Sequence, residues 1–95
     1  LYTSPHLVDF RERIRIGSDM IPEEAAAEGL TRLREAASGW THAPTFFELA
    51  TALAAWWFAE KRVEVVVWET GMGGRLDATN VVVPEVSVIT PVGLD

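Results

Sequence analysis

The sequence predicts an α/β chain, a mainly parallel sheet flanked by helices and present only in part. Three stretches carry that expectation. Val63 to Trp68 is a run of β-branched residues, apolar on both faces except for Glu64, as in a parallel strand covered by helices. Phe46 to Lys61 is apolar almost all round, the composition of a helix buried between layers. Val86 to Val92 is a second buried-strand pattern. The two strands are expected to be parallel neighbours in one sheet, with the Phe46 helix packed across them.

Taken in order, Leu1-Tyr2-Thr3 is strand-like and ends at Ser4-Pro5, where proline biases the preceding residue toward extended geometry. From Phe10 to Ile16 apolar residues and Glu12 fall on one parity, and Arg11, Arg13 and Arg15 on the other. This predicts a half-exposed strand with an arginine face. Gly17-Ser18-Asp19 supplies a turn. A helix is expected from Pro22 to Ala37, with Glu23 and Glu24 at the positive end of its dipole. Its buried stripe is Ala26, Leu30, Leu33 and Ala37, Gly29 weakens it, and Ser38-Gly39 closes it. Thr45-Phe46-Phe47-Glu48 has the spacing of a capping box at the start of the second helix. The polar glycine loop Glu69 to Asn80 follows the Val63 strand. Val81 to Val83 reads as a short strand, Pro84-Glu85 as a turn, and Gly93-Leu94-Asp95 as a loop leaving the last strand.

Ninety-five residues allow one domain at most. A hydrophobic content of 48%, with four Trp and four Phe, is that of a packed core and not of a disordered tail. The net charge of -6 argues against a nucleic-acid or anionic-membrane partner. The lack of cysteine removes a disulfide framework, a thiolate metal site and a cysteine nucleophile, and fits a reducing compartment. No secretory signal or membrane-length apolar run is visible; the longest candidate, Phe46 to Ala59, is broken by Glu48 and Thr51. With strand-like residues at Leu1 and an apolar strand just before Asp95, both ends read as cuts through a larger fold.

The chemistry is concentrated where the Val63 strand delivers Glu69 to a turn containing Gly71, Gly73 and Gly74, since open α/β sheets bind ligands at such strand ends. Gly71-Met72-Gly73-Gly74-Arg75-Leu76 is not a dinucleotide fingerprint, because Leu76 stands where glycine or alanine is needed and no helix pattern follows. Nor is there a Gly-x-x-x-x-Gly-Lys-Ser/Thr phosphate loop. Glu69 is either a solvated residue at a strand exit or a ligand of Mg²⁺, which takes one or two carboxylates and shares its remaining positions with phosphate and water. Ser4 is either a Ser-Pro turn or a hydroxyl donor to the same ion. His6 and His42 lack metal-ligand spacing and read as structural histidines. Arg11, Arg13 and Arg15 read as a solvated face, with an anionic substrate as the alternative for one of them. Phe46, Phe47, Trp56, Trp57 and Phe58 are core residues first and a ligand-stacking wall second; Thr45 and Glu48 are caps by default.

Together these stretches resemble a family. Tyr2-Thr3-Ser4-Pro5-His6-Leu7, Phe10-Arg11-Glu12-Arg13-Ile14, Thr45-Phe46-Phe47-Glu48, the twelve residues from Glu69 to Asn80, Val88-Ile89-Thr90 and Gly93-Leu94-Asp95 are similar to folylpolyglutamate synthase/dihydrofolate synthase, the folate branch of the Mur ligase superfamily. The resemblance implies that residues 1–95 are part of one central ATP-binding domain, with the glycine-rich phosphate loop before Leu1. It also implies a metal-associated histidine directly after Asp95, with a carbamylated lysine and a C-terminal domain further on. The implied enzyme is a cytoplasmic, monomeric carboxylate–amine ligase with ATP, glutamate and dihydropteroate or folate as substrates. ATP phosphorylates a substrate carboxylate, and the glutamate amine displaces phosphate. Carried over residue by residue, Ser4 and Glu69 match the magnesium ligands. Thr45, Phe46, Phe47 and Glu48 match one side of the pterin pocket, and Leu76, Asp77 and Ala78 the other. The chain alone is expected to be inactive and to expose an unusually apolar surface, and the Glu69 oxygens are expected to face the Ser4 hydroxyl. The alternatives are another Mur-type ligase, acting on a peptidoglycan precursor or cyanophycin, and a non-catalytic binding module of the same fold.

Overall fold

Tyr2 is the residue through which the sheet elements are joined. In the computed structural model, which describes residues 1–94, the Tyr2 amide donates to the Val67 carbonyl at 2.9 Å. Its carbonyl accepts from the Glu69 amide at 3.0 Å. That pair of bonds is a parallel bridge to Trp68, while on its other side Tyr2 bridges Ile14 in antiparallel fashion. The chain runs on into β1 (Arg15–Ile16), which pairs antiparallel with β2 (Asp19–Met20), Arg15 opposite Met20 and Ile16 opposite Asp19. Gly17 turns this hairpin with φ +61°, a left-handed conformation that favours glycine.

The strand predicted over Phe10 to Ile16 forms only at its end. Phe10–Arg13 is instead a short 3₁₀ helix. The Asp9 carboxylate accepts from the Arg11 amide at 2.9 Å, and the Glu12 carboxylate reaches back to the amides of Asp9, Val8 and Leu7. Such local bonds satisfy backbone donors that a two-residue alternation would leave for a sheet, so they override it.

Helix α1 (Glu23–Ala37) starts after Pro22, and Ser38 closes it by donating its backbone N–H to the Glu35 carbonyl. Ala26 and Gly29 are its buried residues, while Leu30, Leu33 and Ala37 are half-buried. Gly29, expected to be a weak point, is the place where α2 crosses. A Cβ there would run into Leu53 and would lie 2.8 Å from the Trp56 ring. Helix α2 (Phe46–Glu60) opens with the capping box read from the sequence. The Glu48 amide donates to Thr45 Oγ1 at 3.2 Å, and the Thr45 amide to Glu48 Oε2 at 2.9 Å. The helix is not buried all round. Ala50, Thr51, Leu53, Ala54 and Phe58 face the core, whereas Phe46, Ala55 and Ala59 are exposed.

The core gathers Tyr2, Ile14, Ile21, Ala26, Leu53, Ala54 and Phe58. The Tyr2 hydroxyl finds the Thr51 hydroxyl at 3.0 Å, so the one polar atom of this ring is satisfied inside the cluster.

The parallel sheet is where expectation and structure part. What forms is two helices and a two-stranded antiparallel sheet, with one parallel bridge at Trp68. The Val63 to Trp68 run has no other sheet pairing, Val81 to Val83 is not a strand, and Val86 to Val92 is unpaired and exposed. The expected parallel pair is therefore absent among the described residues. A parallel ladder needs partner strands brought together by crossovers and helices on both faces. Here α2 covers one side of the Tyr2–Trp68 bridge, and the runs beyond it lack partner backbone. The expected apolar surface is present on Val65, Val67, Val83, Ile89 and Val92, while Trp56 and Trp57 are half-buried. Asp95, the last residue of the matching Gly93-Leu94-Asp95, lies outside the described residues.

Candidate functional site

A parallel bridge sets the two chain segments leaving it side by side. Beyond Tyr2 comes Ser4; beyond Trp68 comes Glu69. The Ser4 amide donates to Glu69 Oε2 at 2.8 Å. Glu69 is exposed and Ser4 half-buried. The second carboxylate oxygen, Oε1, has no hydrogen-bond partner among the described residues. The Glu69 oxygens are expected to face the Ser4 hydroxyl; the contact that forms is made by the Ser4 amide instead.

The glycine loop that follows is held from within by Asp77. One of its oxygens accepts from the Met72 amide at 2.8 Å; the other takes the Thr79 amide at 2.9 Å and the Thr79 hydroxyl. Desolvation of the partly covered carboxyl pushes its pKa upward, but the bonds from Thr79, Met72 and Gly71 outweigh it and hold Asp77 below the usual carboxylate range. The Asn80 amide group donates to the Arg75 carbonyl at 3.0 Å, and the Trp68 indole N–H to the Thr79 carbonyl at 3.0 Å, tying the loop to the bridge. Phe47 packs directly on the loop. A Cβ at Gly71 would lie 2.5 Å from Phe47 Cζ and 3.0 Å from Asp77 Oδ2, so only glycine allows this approach. The Tyr2 ring sits between Trp68, at 4.8 Å, and Phe47, at 6.2 Å. Burial pushes the Tyr2 phenol above its ordinary pKa.

The predicted pterin-pocket residues are thus divided. Phe47 and Asp77 meet at Gly71. Ala78 is half-buried beside them in sequence, but Leu76 is 91% exposed and its side chain projects from the loop. Thr45 and Glu48 are exposed and engaged in capping each other. Phe46 turns away from Phe47, because consecutive helical residues point about 100° apart, and meets Phe10 edge-on at 5.6 Å. Above the Phe46 ring, 5.3 Å from its centroid, lies the guanidinium of Arg13. Its Nε donates to His6 Nδ1 at 2.8 Å. The sequence gives no signal for this His6–Arg13 pair, since it arises from the 3₁₀ turn that the alternation concealed.

Two apolar hollows of about 260 and 250 Å³ lie between α1 and the start of α2, sharing Arg34 and Leu49; neither is lined by Ser4, Glu69 or Asp77. Among the described residues no group of three or more His, Asp or Glu side chains gathers as a metal cage would require, and no helix is long and apolar enough to cross a membrane.

No protein-family model matches the chain, and no solved structure matches it either. Curated relatives do. The chain is 42% identical over its whole length to a dihydrofolate synthase/folylpolyglutamate synthase of Escherichia coli K12, covering 22% of that protein. It is 49% identical, again over its whole length, to a probable bifunctional folylpolyglutamate synthase/dihydropteroate synthase of Haloferax volcanii, covering 12% of it. Over 99% of the chain it is 40% identical to a dihydrofolate synthase/folylpolyglutamate synthase of Bacillus subtilis, covering 23% of it. The chain therefore spans less than a quarter of the length of each of these relatives. Along its whole length, the chain fits the folylpolyglutamate/dihydrofolate synthase family.

Proposed function

We propose that the protein carrying this chain is an ATP-dependent ligase that joins glutamate to the carboxylate of dihydropteroate or a folate through an acyl phosphate. The relatives' names supply the reaction class. The observation that carries the reading to residues is the parallel bridge that sets Ser4 beside Glu69 at the mouth of the glycine loop.

On this reading the γ-phosphoryl of ATP passes to a substrate carboxylate oxygen, and ADP leaves. The α-amino nitrogen of glutamate then attacks the carbonyl carbon, the bond from that carbon to the phosphate oxygen breaks, and the amide forms as a proton is lost. Such transfers need positioning and charge neutralisation more than covalent help from the protein.

Ser4 and Glu69 would hold Mg²⁺, which supplies charge compensation to the transferring phosphoryl group when bound. A hydroxyl and one carboxylate with a free oxygen suit an ion that fills its other positions with phosphate and water. Phe47 and the Asp77 side of the loop would form a wall of the pterin pocket, with Ala78 and Leu76 on the loop and Phe46 at the rim. The Thr45–Glu48 capping box fixes where α2 begins and so where Phe47 stands. The phosphates of ATP would be held outside this chain, which has no phosphate loop and would not act alone. The expected setting is a cytoplasmic monomer with small-molecule substrates and neither a nucleic-acid nor a membrane partner.

The test is an assay of the full-length protein with ATP, Mg²⁺, glutamate and either dihydropteroate or a reduced folate. Release of ADP and phosphate that requires both the pterin substrate and glutamate, with one glutamyl unit added per ATP, supports the reading. No glutamate incorporation with either substrate contradicts it.

A further inference from the structure

The three arginines of the first segment are not equivalent. Arg11 pairs with Asp9 at 3.1 Å, and Arg15 is half-exposed with Nε donating to the Glu12 carbonyl at 3.2 Å. Arg13 is only 9% exposed and has no carboxylate within ion-pair distance among the described residues. Its one hydrogen bond runs from Nε to a neutral acceptor, His6 Nδ1, at 2.8 Å. A guanidinium stays charged at any physiological pH, and a buried charge is costly unless an anion meets it.

The free part of the group is its terminal fork. Among the described residues no fully buried side-chain nitrogen lacks a partner, so the two Nη groups, which have none, open on to solvent. One face of the guanidinium is covered by Phe46 and the Nε edge by His6. With His6 Nδ1 taken up as the acceptor, its other ring nitrogen, Nε2, is left for a further hydrogen bond. Phe46 is 59% exposed and leaves an aromatic wall beside these donors.

We propose that Arg13 is a specificity-determining residue that binds the carboxylate of a glutamyl unit, with Phe46 as the adjacent wall. The inference rests on the ligase reading above. Planar forks take carboxylates bidentately, and a single cation among aromatic rings suits a flat monoanion better than a polyphosphate. The place is right for a substrate. The Arg13 carbonyl accepts from the Thr3 amide at 3.0 Å, next to Ser4, and Phe46 adjoins Phe47 on α2. The glutamyl carboxylate has two sources, the incoming glutamate and the tail of a pteroylglutamate substrate, and the test separates them.

Arg13→Gln and Arg13→Lys are made in the full-length protein and substrate saturation is measured for glutamate and for a reduced pteroylglutamate. Each measurement is paired with the analogue whose α-carboxylate is replaced by a carboxamide. The expected result is a KM for one carboxylate-bearing substrate raised roughly 10- to 100-fold by Gln and less by Lys, with a smaller change in kcat. The carboxamide analogue should bind wild type and Gln variant alike. A rise in the glutamate KM identifies the incoming amino acid, and a rise in the pteroylglutamate KM identifies the tail. Unchanged KM values, or equal losses for carboxylate and carboxamide, overturn the assignment while leaving the ligase reading intact. A wild-type protein with no ligase activity overturns both.

Discussion

Asp77 shows how one carboxylate can shape a loop of twelve residues. Its hydrogen bonds to Met72 and Thr79 favour the ionised form in the folded chain, so its pKa falls below the ordinary 3.8. The stabilisation it brings is complete above that ordinary value and is lost as the pH falls through the lower folded one. The loop should accordingly loosen only in strong acid. The indole N–H resonance of Trp68, bonded to the Thr79 carbonyl, should report this as an acid transition below about pH 4. Asp77→Asn, which keeps one acceptor oxygen but replaces the other by a donor, should shift that resonance at neutral pH and abolish the transition. An unaltered Trp68 resonance in the variant would show that the loop is held by something else. At this scale the site was half legible. Ser4 and Glu69 could be paired because their motifs resemble a known family. The split between Phe46 and Phe47 follows from helical phase, but which of the two faces the loop depends on Gly71. The His6–Arg13 bond depends on a 3₁₀ turn hidden behind alternating residues.

Among the elements, the helices were the readable part. Glu23–Ala37 and Phe46–Glu60 have their boundaries close to where Pro22, Ser38 and the Thr45–Glu48 capping box put them. Each signal is local in sequence, so it survives whatever the rest of the fold does. Gly29 is the instructive exception. Helix propensity alone says that Gly29→Ala should stabilise α1 by up to about 1 kcal/mol. Its Cβ, however, would meet fully buried Leu53 and the ring of Trp56, and overpacking of this kind costs about 1–3 kcal/mol. Gly29→Ala should therefore lower stability by roughly 1 kcal/mol, the difference between these terms, in a denaturant titration. A stabilised variant would mean that α2 moves aside freely. The strands were unreadable for the opposite reason. Val63 to Trp68 and Val86 to Val92 have the composition of paired strands, yet pairing is a property of two segments, and the chain places only Tyr2 beside Trp68.

As a whole molecule the chain buries a core of seven residues around Tyr2 and leaves valines on its last third open to solvent. Glu69 approaches Ser4 where the Tyr2–Trp68 bridge sets the two segments side by side, and on the proposed reading this pair holds the Mg²⁺ that serves ATP. The direct measurement is phosphoryl transfer by the full-length protein as Mg²⁺ is titrated, comparing wild type with Glu69→Gln. Glutamine keeps the size of the side chain and an oxygen for the Ser4 amide but removes the charge, so folding and pterin binding should persist. Phosphoryl transfer should fall about 100-fold or more, a loss of a few kcal/mol in transition-state stabilisation. Near-normal turnover of Glu69→Gln at limiting Mg²⁺ would contradict the proposed Mg²⁺ role.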